Sequence, residues 1–95
     1  MRLEIDPRAL AEAAEAQDRY ASIQAEVADD FAQAVQVAML RIQRDPLLYQ
    51  ALSRRTRRCV LRGFPYTLVY EVHRDFVRVV AVMHQSRRPG YWRVR

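Results

Sequence analysis

The sequence predicts an α+β domain in which a short N-terminal strand and a helical hairpin pack on one face of a mainly antiparallel sheet of three or four strands. Three observations lead to this prediction. The chain has 95 residues, which is enough for one hydrophobic core and too few for a second. Apolar residues recur at helical spacing in the first half, and they alternate with polar residues in the second half. We therefore expect residues 1–95 to form a single domain.

The first predicted element is a short strand that leads directly into a helix. Residues 2–5 (RLEI) alternate polar and apolar side chains, as a strand does. Asp6 and Pro7 then mark a helix start, because an aspartate can accept bonds from the free N–H groups of the first turn and proline fits the first helical position. No proline or glycine follows until Pro46, so the intervening segment should be helical nearly throughout.

That helical segment is too long to be one helix in a small domain. An unbroken helix of this length would span ~55 Å, which exceeds the width of a domain of this size. The apolar residues keep the same phase across the middle of the segment, so periodicity does not locate the break. We place a tight reversal at residues 20–22, with Ser22 as the N-cap of the second helix.

Three strands are predicted in the second half, where the pattern changes to a period of two. They cover residues 57–62, 66–72 and 76–84. Gly63 lies in the first connection and Asp75 in the second, and both connections are short enough to join antiparallel neighbours.

Alternation along the third strand predicts two faces with different partners. The helices should cover Val77, Val79, Ala81 and Met83. The opposite face should carry Arg78, Val80, Val82 and His84. Because only the C-terminal tail remains to cover that second face, we expect it to be an open surface that is cationic and partly apolar.

The basic residues are concentrated in the second half of the chain. Residues 1–50 contain five arginines and nine acidic residues, for a net charge of −4, whereas residues 51–95 contain eleven arginines and two acidic residues, for +9. All sixteen basic residues are arginine. Guanidinium groups bind phosphate and carboxylate through paired hydrogen bonds, so this half suits a polyanion or an acidic protein segment.

Several other classes of protein are disfavoured by the composition. Cys59 is the only cysteine, so no internal disulfide can form, and no cluster of histidine and cysteine has the spacing of a zinc site. No uncharged stretch approaches the ~18 apolar residues that span a bilayer, and the N-terminus lacks the apolar segment of a signal peptide. We expect a cytoplasmic protein with no cofactor, no metal and no membrane partner.

Two segments near the C-terminus resemble a known family. Residues 63–72 read GFPYTLVYEV, and residues 79–95 read VVAVMHQSRRPGYWRVR. Together they resemble the ParE branch of the RelE/ParE superfamily, the toxins of bacterial type II toxin–antitoxin systems. The first half of the chain agrees with the short strand and helical hairpin of that superfamily, so the resemblance covers nearly the whole chain.

The resemblance implies a toxin that arrests growth and is neutralised by a cognate antitoxin. ParE-type members inhibit DNA gyrase, whereas RelE-type members cut messenger RNA on the ribosome. A nuclease of the RelE type would draw its catalytic groups from Arg58, His84, Arg87 and Tyr91. Two positions that are basic in RelE-type toxins are Thr67 and Val60 here, so the sequence favours binding to gyrase. A ribosome-dependent endoribonuclease and a non-toxic module that only binds an antitoxin or DNA stay open as alternatives.

Two groups of residues are candidates for binding. The expected target-binding group is His84, Arg87, Arg88, Tyr91 and Trp92. The expected antitoxin-binding group is Arg54, Arg55, Arg57, Arg58, Arg78, Val80 and Val82. Each group also has a purely structural interpretation. His84 could close its strand through local hydrogen bonds, and the two tail aromatics could pack back on the core. The arginines could form a solvated sheet edge that prevents aggregation.

Overall fold

The computed structural model describes all 95 residues, and it places two helices on one face of a five-stranded sheet. The strands are β1 (Arg2–Ile5), β2 (Gln50–Ala51), β3 (Thr56–Val60), β4 (Tyr66–Val72) and β5 (Phe76–His84). The helices are α1 (Pro7–Ala21) and α2 (Ala25–Arg44), and a 3₁₀ turn covers Tyr91–Val94. The predicted α+β class, with a helical hairpin on a mainly antiparallel sheet, is confirmed. Neither helix combines the length and hydropathy of a membrane-crossing segment.

The sheet has the order β1-β5-β4-β3-β2, and only the β1–β5 pair is parallel. The fifth strand, β2, was not predicted, because it has two residues and both are exposed. A strand this short shows no alternation, and its pairing with Arg57 and Arg58 of β3 defines it.

The start of α1 follows the prediction. The Asp6 side chain accepts a hydrogen bond from the Arg8 backbone N–H at 2.8 Å, and Pro7 occupies the first helical position. Asp6 is also nearly inaccessible, at 1% exposure, and it accepts further bonds from the guanidinium groups of Arg8 and Arg78. The helix cap is therefore also a buried charge pair that connects α1 to β5.

The reversal between the helices lies at residues 22–24, not at 20–22 as predicted. Ser22 does not cap α2. It instead closes the end of α1, where its hydroxyl donates to the Arg19 carbonyl at 2.7 Å. Backbone N–H groups of Ile23 and Gln24 both donate to the Tyr20 carbonyl, so main-chain bonds form this turn and no side-chain cap marks it in the sequence.

The main core lies between the helical hairpin and the sheet. Its fully buried side chains include Ala9, Ala16, Phe31, Ile42, Leu68, Tyr70, Val77 and Val79. An aromatic group closes one end of this core, with Phe31 contacting the rings of Tyr20, Phe64 and Tyr66 at centroid distances of 5.1–5.3 Å. The small alanines of α1 let the helix approach the sheet closely.

A β-bulge interrupts the alternation of β5. Val79 pairs with Tyr70 and Ala81 pairs with Val69, so Val80 is an extra residue with no partner in β4. An inserted residue exchanges the two faces of everything that follows it. The faces predicted for Ala81 and for the rest of the strand are therefore reversed.

The outward face of the sheet is covered around Val80 rather than open there. Val82 packs in the main core under the helices, whereas Val80 and Ala81 lie on the other face, where Tyr91 and Trp92 pack against them. The exposure of Val80 is 1% and that of Val82 is 2%. The prediction of an open, partly apolar surface carrying these two valines is wrong, because the bulge buries one and the C-terminal turn covers the other.

In the turn between β3 and β4, the cost of a left-handed backbone can be measured without any steric clash. Gly63 has φ +82°, and a Cβ added there would meet no atom within 4 Å. We expect Gly63→Ala to lower the free energy of unfolding by about 1 kcal/mol, through left-handed backbone strain only. Chemical denaturation measures this loss. Gly63→Asn should lose less, since asparagine tolerates this region better, and equal losses for both variants would contradict the explanation.

Candidate functional site

The C-terminal residues are anchored to α1 by the carboxylate of Glu12. It accepts a hydrogen bond from the Tyr91 hydroxyl at 2.5 Å and two from the Arg95 guanidinium at 2.7 and 3.1 Å. Sequence reasoning missed Glu12. The available signal was its position between buried Ala9 and buried Ala16, which places a carboxylate on the buried face of α1.

The same ion pair closes an exposed edge of β5. β1 ends opposite Val79, so the edge of β5 beyond that residue has no neighbouring strand. There the Val82 N–H donates to Glu12 at 3.1 Å, and the Val80 carbonyl accepts from Arg95 at 3.0 Å. A carboxylate and a guanidinium thus satisfy the backbone groups that a further strand would otherwise satisfy.

Tyr91 is held as a hydrogen-bond donor. Burial, and then its bond to Glu12, raise the pKa of the Tyr91 hydroxyl well above its usual value. The hydroxyl therefore stays protonated at neutral pH, and its proton points to a carboxylate. Such a group does not accept a proton from a substrate.

Arg87 is oriented by its neighbours but open to solvent. Its guanidinium carbon lies 3.9 Å from the centre of the Tyr91 ring, and its nearest nitrogen is 4.0 Å from Glu12. The side chain is nevertheless 53% exposed. Arg88, the next residue, is exposed and makes no ion pair. The structure thus brings Arg87 onto Tyr91 and leaves two cations accessible.

Trp92 lies at the border between the covered face and solvent. Its side chain packs against the cluster formed by Val69, Val80 and Ala81, and its indole N–H is buried without an acceptor. The structural alternative, in which the tail aromatics pack back on the core, is thus what the structure shows for Trp92 and Tyr91. Trp92 also lines a cleft on the outward face, which we call the outer cleft.

The four residues of the RelE-type nuclease hypothesis do not form one site. Arg58 and Arg87 both line the outer cleft. His84 lies instead in a groove between α1 and β5, with its ring edge-on to Tyr66 at 5.0 Å and its Nδ1 2.7 Å from the Ser86 hydroxyl. Arg87 borders this groove as well as the outer cleft, so His84 and Arg87 lie together while Arg58 is on the other side of Arg87. With the Tyr91 hydroxyl bound to Glu12, the cleft is left with cations and no group placed to move a proton.

The predicted antitoxin-binding arginines do not form one surface either. Arg57 donates to the carbonyls of Leu47 and Tyr49, and Arg78 pairs with buried Asp6. Both are therefore used inside the fold. The two remaining loop arginines, Arg54 and Arg55, are exposed, and the Arg55 carbonyl accepts from Val72 at the far end of β4. Arg58 alone points to the outer cleft, with Nε 3.0 Å from Gln50. No group of histidine, cysteine, aspartate and glutamate side chains could hold a metal ion.

Comparison with known proteins identifies the family. Residues 3–89 match the family model described as the ParE toxin of the type II toxin–antitoxin system, parDE. The chain belongs to the ParE toxin family. A solved structure with a similar fold is titled "Chromosomal ParDE TA system from P. aeruginosa", with a TM-score of 0.66 and 14% sequence identity over 88% of this chain and 95% of that chain. No curated protein matches the sequence of this ParE-family toxin. The resemblance seen in the two C-terminal segments is confirmed.

Proposed function

We propose that this ParE-family toxin arrests bacterial growth in the cytoplasm by binding DNA gyrase, without breaking a covalent bond. The target-binding group in this proposal is Arg87, Arg88, Tyr91 and Trp92. The observation that carries it is the stacking of the Arg87 guanidinium 3.9 Å above a Tyr91 ring that Glu12 holds in place. A side chain that is already ordered loses less entropy on binding, and arginine next to an aromatic ring is a frequent centre of binding energy.

The arrangement of proton-transfer groups favours binding over RNA cleavage. Cleavage through a 2′-hydroxyl needs a group that accepts a proton and another that donates one to the leaving oxygen. Tyr91 donates to Glu12, and His84 is bonded locally to Ser86 in the groove between α1 and β5, which Arg87 borders but Arg58 does not. Thr67, which lines the outer cleft, supplies no cation where RelE-type toxins have one.

A cognate antitoxin neutralises the toxin in this proposal. Its acidic segment would contact the cations that stay accessible, namely Arg54, Arg55 and Arg58, rather than the two buried valines. Charge complementarity supports this choice, since residues 51–95 carry eleven arginines and only two acidic residues.

The target-binding group is tested by removing its two accessible cations. We expect Arg87→Ala with Arg88→Ala to raise the concentration needed to inhibit gyrase supercoiling by about tenfold or more, because each arginine at a binding centre typically contributes above ~1 kcal/mol. The double variant should also relieve growth arrest in cells at equal expression.

A matched control removes two other exposed arginines, Arg44 and Arg74, and should leave inhibition unchanged. Equal toxicity of the two double variants would contradict the assignment. Codon-positioned messenger cleavage with normal supercoiling would favour the ribosome-dependent nuclease. A chain that does neither would be a non-toxic binding module.

A further inference from the structure

The outer cleft has an unbalanced charge. It is a cavity of about 300 Å³ on the outward face of the sheet, next to the C-terminal turn. Three arginines line it, Arg58, Arg87 and Arg93, and none of its lining residues is acidic. We propose that the outer cleft binds the phosphodiester backbone of a polynucleotide.

Arg58 and Arg93 have no acidic partner inside the fold, and the charge of Arg87 is only partly offset by the carboxylates of the neighbouring groove. Arg58 donates its Nε to the neutral amide of Gln50, and Arg93 lies 5.8 Å from the Trp92 ring with no acidic partner. Arg87 has Glu12 at 4.0 Å, but two hydrogen bonds already tie that carboxylate to Arg95. A cleft walled by one sign of charge concentrates ions of the opposite sign.

The acidic residues of this half lie away from the cleft. Glu71 pairs with His73, and Asp75 is in the turn between β4 and β5, whereas the cleft is at the opposite end of these strands, near Thr67. Arg88, which follows Arg87 in the chain, is exposed and forms no ion pair. A fourth cation is therefore available next to the cleft.

A polynucleotide suits this cleft better than an acidic peptide. Each strand of a nucleic acid duplex carries one negative charge per ~3.4 Å of the axis, whereas an extended peptide presents side chains on one face only every ~7 Å. Several guanidinium groups in one small cavity can therefore each contact a phosphate of a polynucleotide, whose charges are more closely spaced than those of a peptide. Guanidinium forks also match phosphate oxygens geometrically, and the partly exposed Trp92 offers an aromatic surface beside them.

This proposal rests on the proposed function, because an inhibitor that binds gyrase meets DNA at its target. It can nevertheless be tested with the purified toxin in the absence of gyrase. Trp92 is the only tryptophan and lines the cleft, so its fluorescence reports occupancy. The probes are oligonucleotides of about twelve nucleotides, as duplex DNA, single-stranded DNA and RNA, and a glutamate peptide of equal charge. Similar affinities for DNA and RNA support contacts to the sugar–phosphate backbone that both share. A higher affinity for one of them identifies the class of polynucleotide that the cleft binds.

Salt dependence then counts the phosphate contacts. We expect Arg58→Gln and Arg93→Gln each to weaken binding to duplex DNA and to reduce the slope of log K against log salt by about 0.9, while Arg74→Gln, at the other end of the sheet, changes neither. Arg74 and Arg93 are exposed and Arg58 is partly exposed, so the three variants should fold, and circular dichroism checks this.

Two results would overturn the proposal. One is an equal salt slope for all variants, and the other is tighter binding to the glutamate peptide than to any oligonucleotide. Gyrase inhibition without oligonucleotide binding would refute the cleft assignment and leave the proposed function intact. Oligonucleotide binding without gyrase inhibition would support the cleft assignment and refute the proposed target.

Discussion

Replacing Asp6 with asparagine is expected to lower the free energy of unfolding by about 3 kcal/mol, because it breaks a buried charge pair on one side only. Asp6 is 1% exposed and accepts bonds from the Arg8 N–H at 2.8 Å and from the Arg8 guanidinium at 3.0 and 2.9 Å, as well as from Arg78. An asparagine has one acceptor oxygen for these donors and turns its own N–H groups toward a cation. Urea denaturation at neutral pH measures the loss.

The same residue should make stability depend on acid pH. The hydrogen bond from the Arg8 guanidinium, opposed by burial and aided by Arg78, holds the pKa of Asp6 well below its usual range. The folded state thus binds this proton more weakly than the unfolded chain does. The contribution is fully present above about pH 4 and is lost as the pH falls further, so Asp6→Asn should flatten the stability profile in that acid range.

A matched control for Asp6 is available at the end of α2. Asp45 is 55% exposed and lies 3.7 Å from an Arg44 that is 85% exposed. Asp45→Asn should therefore change stability by less than about 0.5 kcal/mol. Similar losses for Asp6→Asn and Asp45→Asn would show that the buried pair does not stabilise the fold.

Replacing Glu12 with glutamine is expected to lower the free energy of unfolding by about 2 to 3 kcal/mol and to loosen the C-terminal turn. The carboxylate is 13% exposed and accepts from Val82, Tyr91 and Arg95. The amide removes one acceptor and leaves Arg95, whose side chain is only 13% exposed, as a largely buried cation that has lost the Glu12 charge. Red-shifted and more quenchable Trp92 fluorescence, seen before global unfolding in denaturant, would report the released turn.

Glu15→Gln serves as the control for Glu12, since Glu15 is exposed on the same helix and makes no ion pair. It should leave stability and Trp92 emission unchanged. Unaltered Trp92 fluorescence in the Glu12→Gln variant would contradict the conclusion that Glu12 anchors the C-terminal turn. If the proposed target-binding group is correct, Glu12→Gln should also weaken growth arrest, because it loosens Tyr91 beneath Arg87.

Local signals were sufficient to predict most elements of this fold. β4 and β5 run over residues 66–72 and 76–84 as predicted, and the start of α1 follows from Asp6 and Pro7. The inter-helix turn was placed two residues early, because backbone bonds to Tyr20 form it. β2 escaped prediction for a related reason, since two exposed residues carry no periodic pattern.

The candidate site was predicted less well than the fold. Arg87, Tyr91 and Trp92 do lie together, but Val80 and Val82 are buried on opposite faces because of one extra residue in β5. Alternation cannot anticipate a bulge, and one residue is enough to reverse the faces.

The sequence by itself determined the types and order of all the helices and strands except β2, and it determined the family, because caps, turns and periodicity act over a few residues. Only the tertiary structure decided how the C-terminus is used. The bonds from Glu12 to Tyr91 and Arg95 join residues 79 and 83 positions apart. Such distant partners decide which arginines form bonds inside the fold and which stay accessible. Packing of the helices on the sheet brings these partners together, and no local sequence pattern encodes that packing.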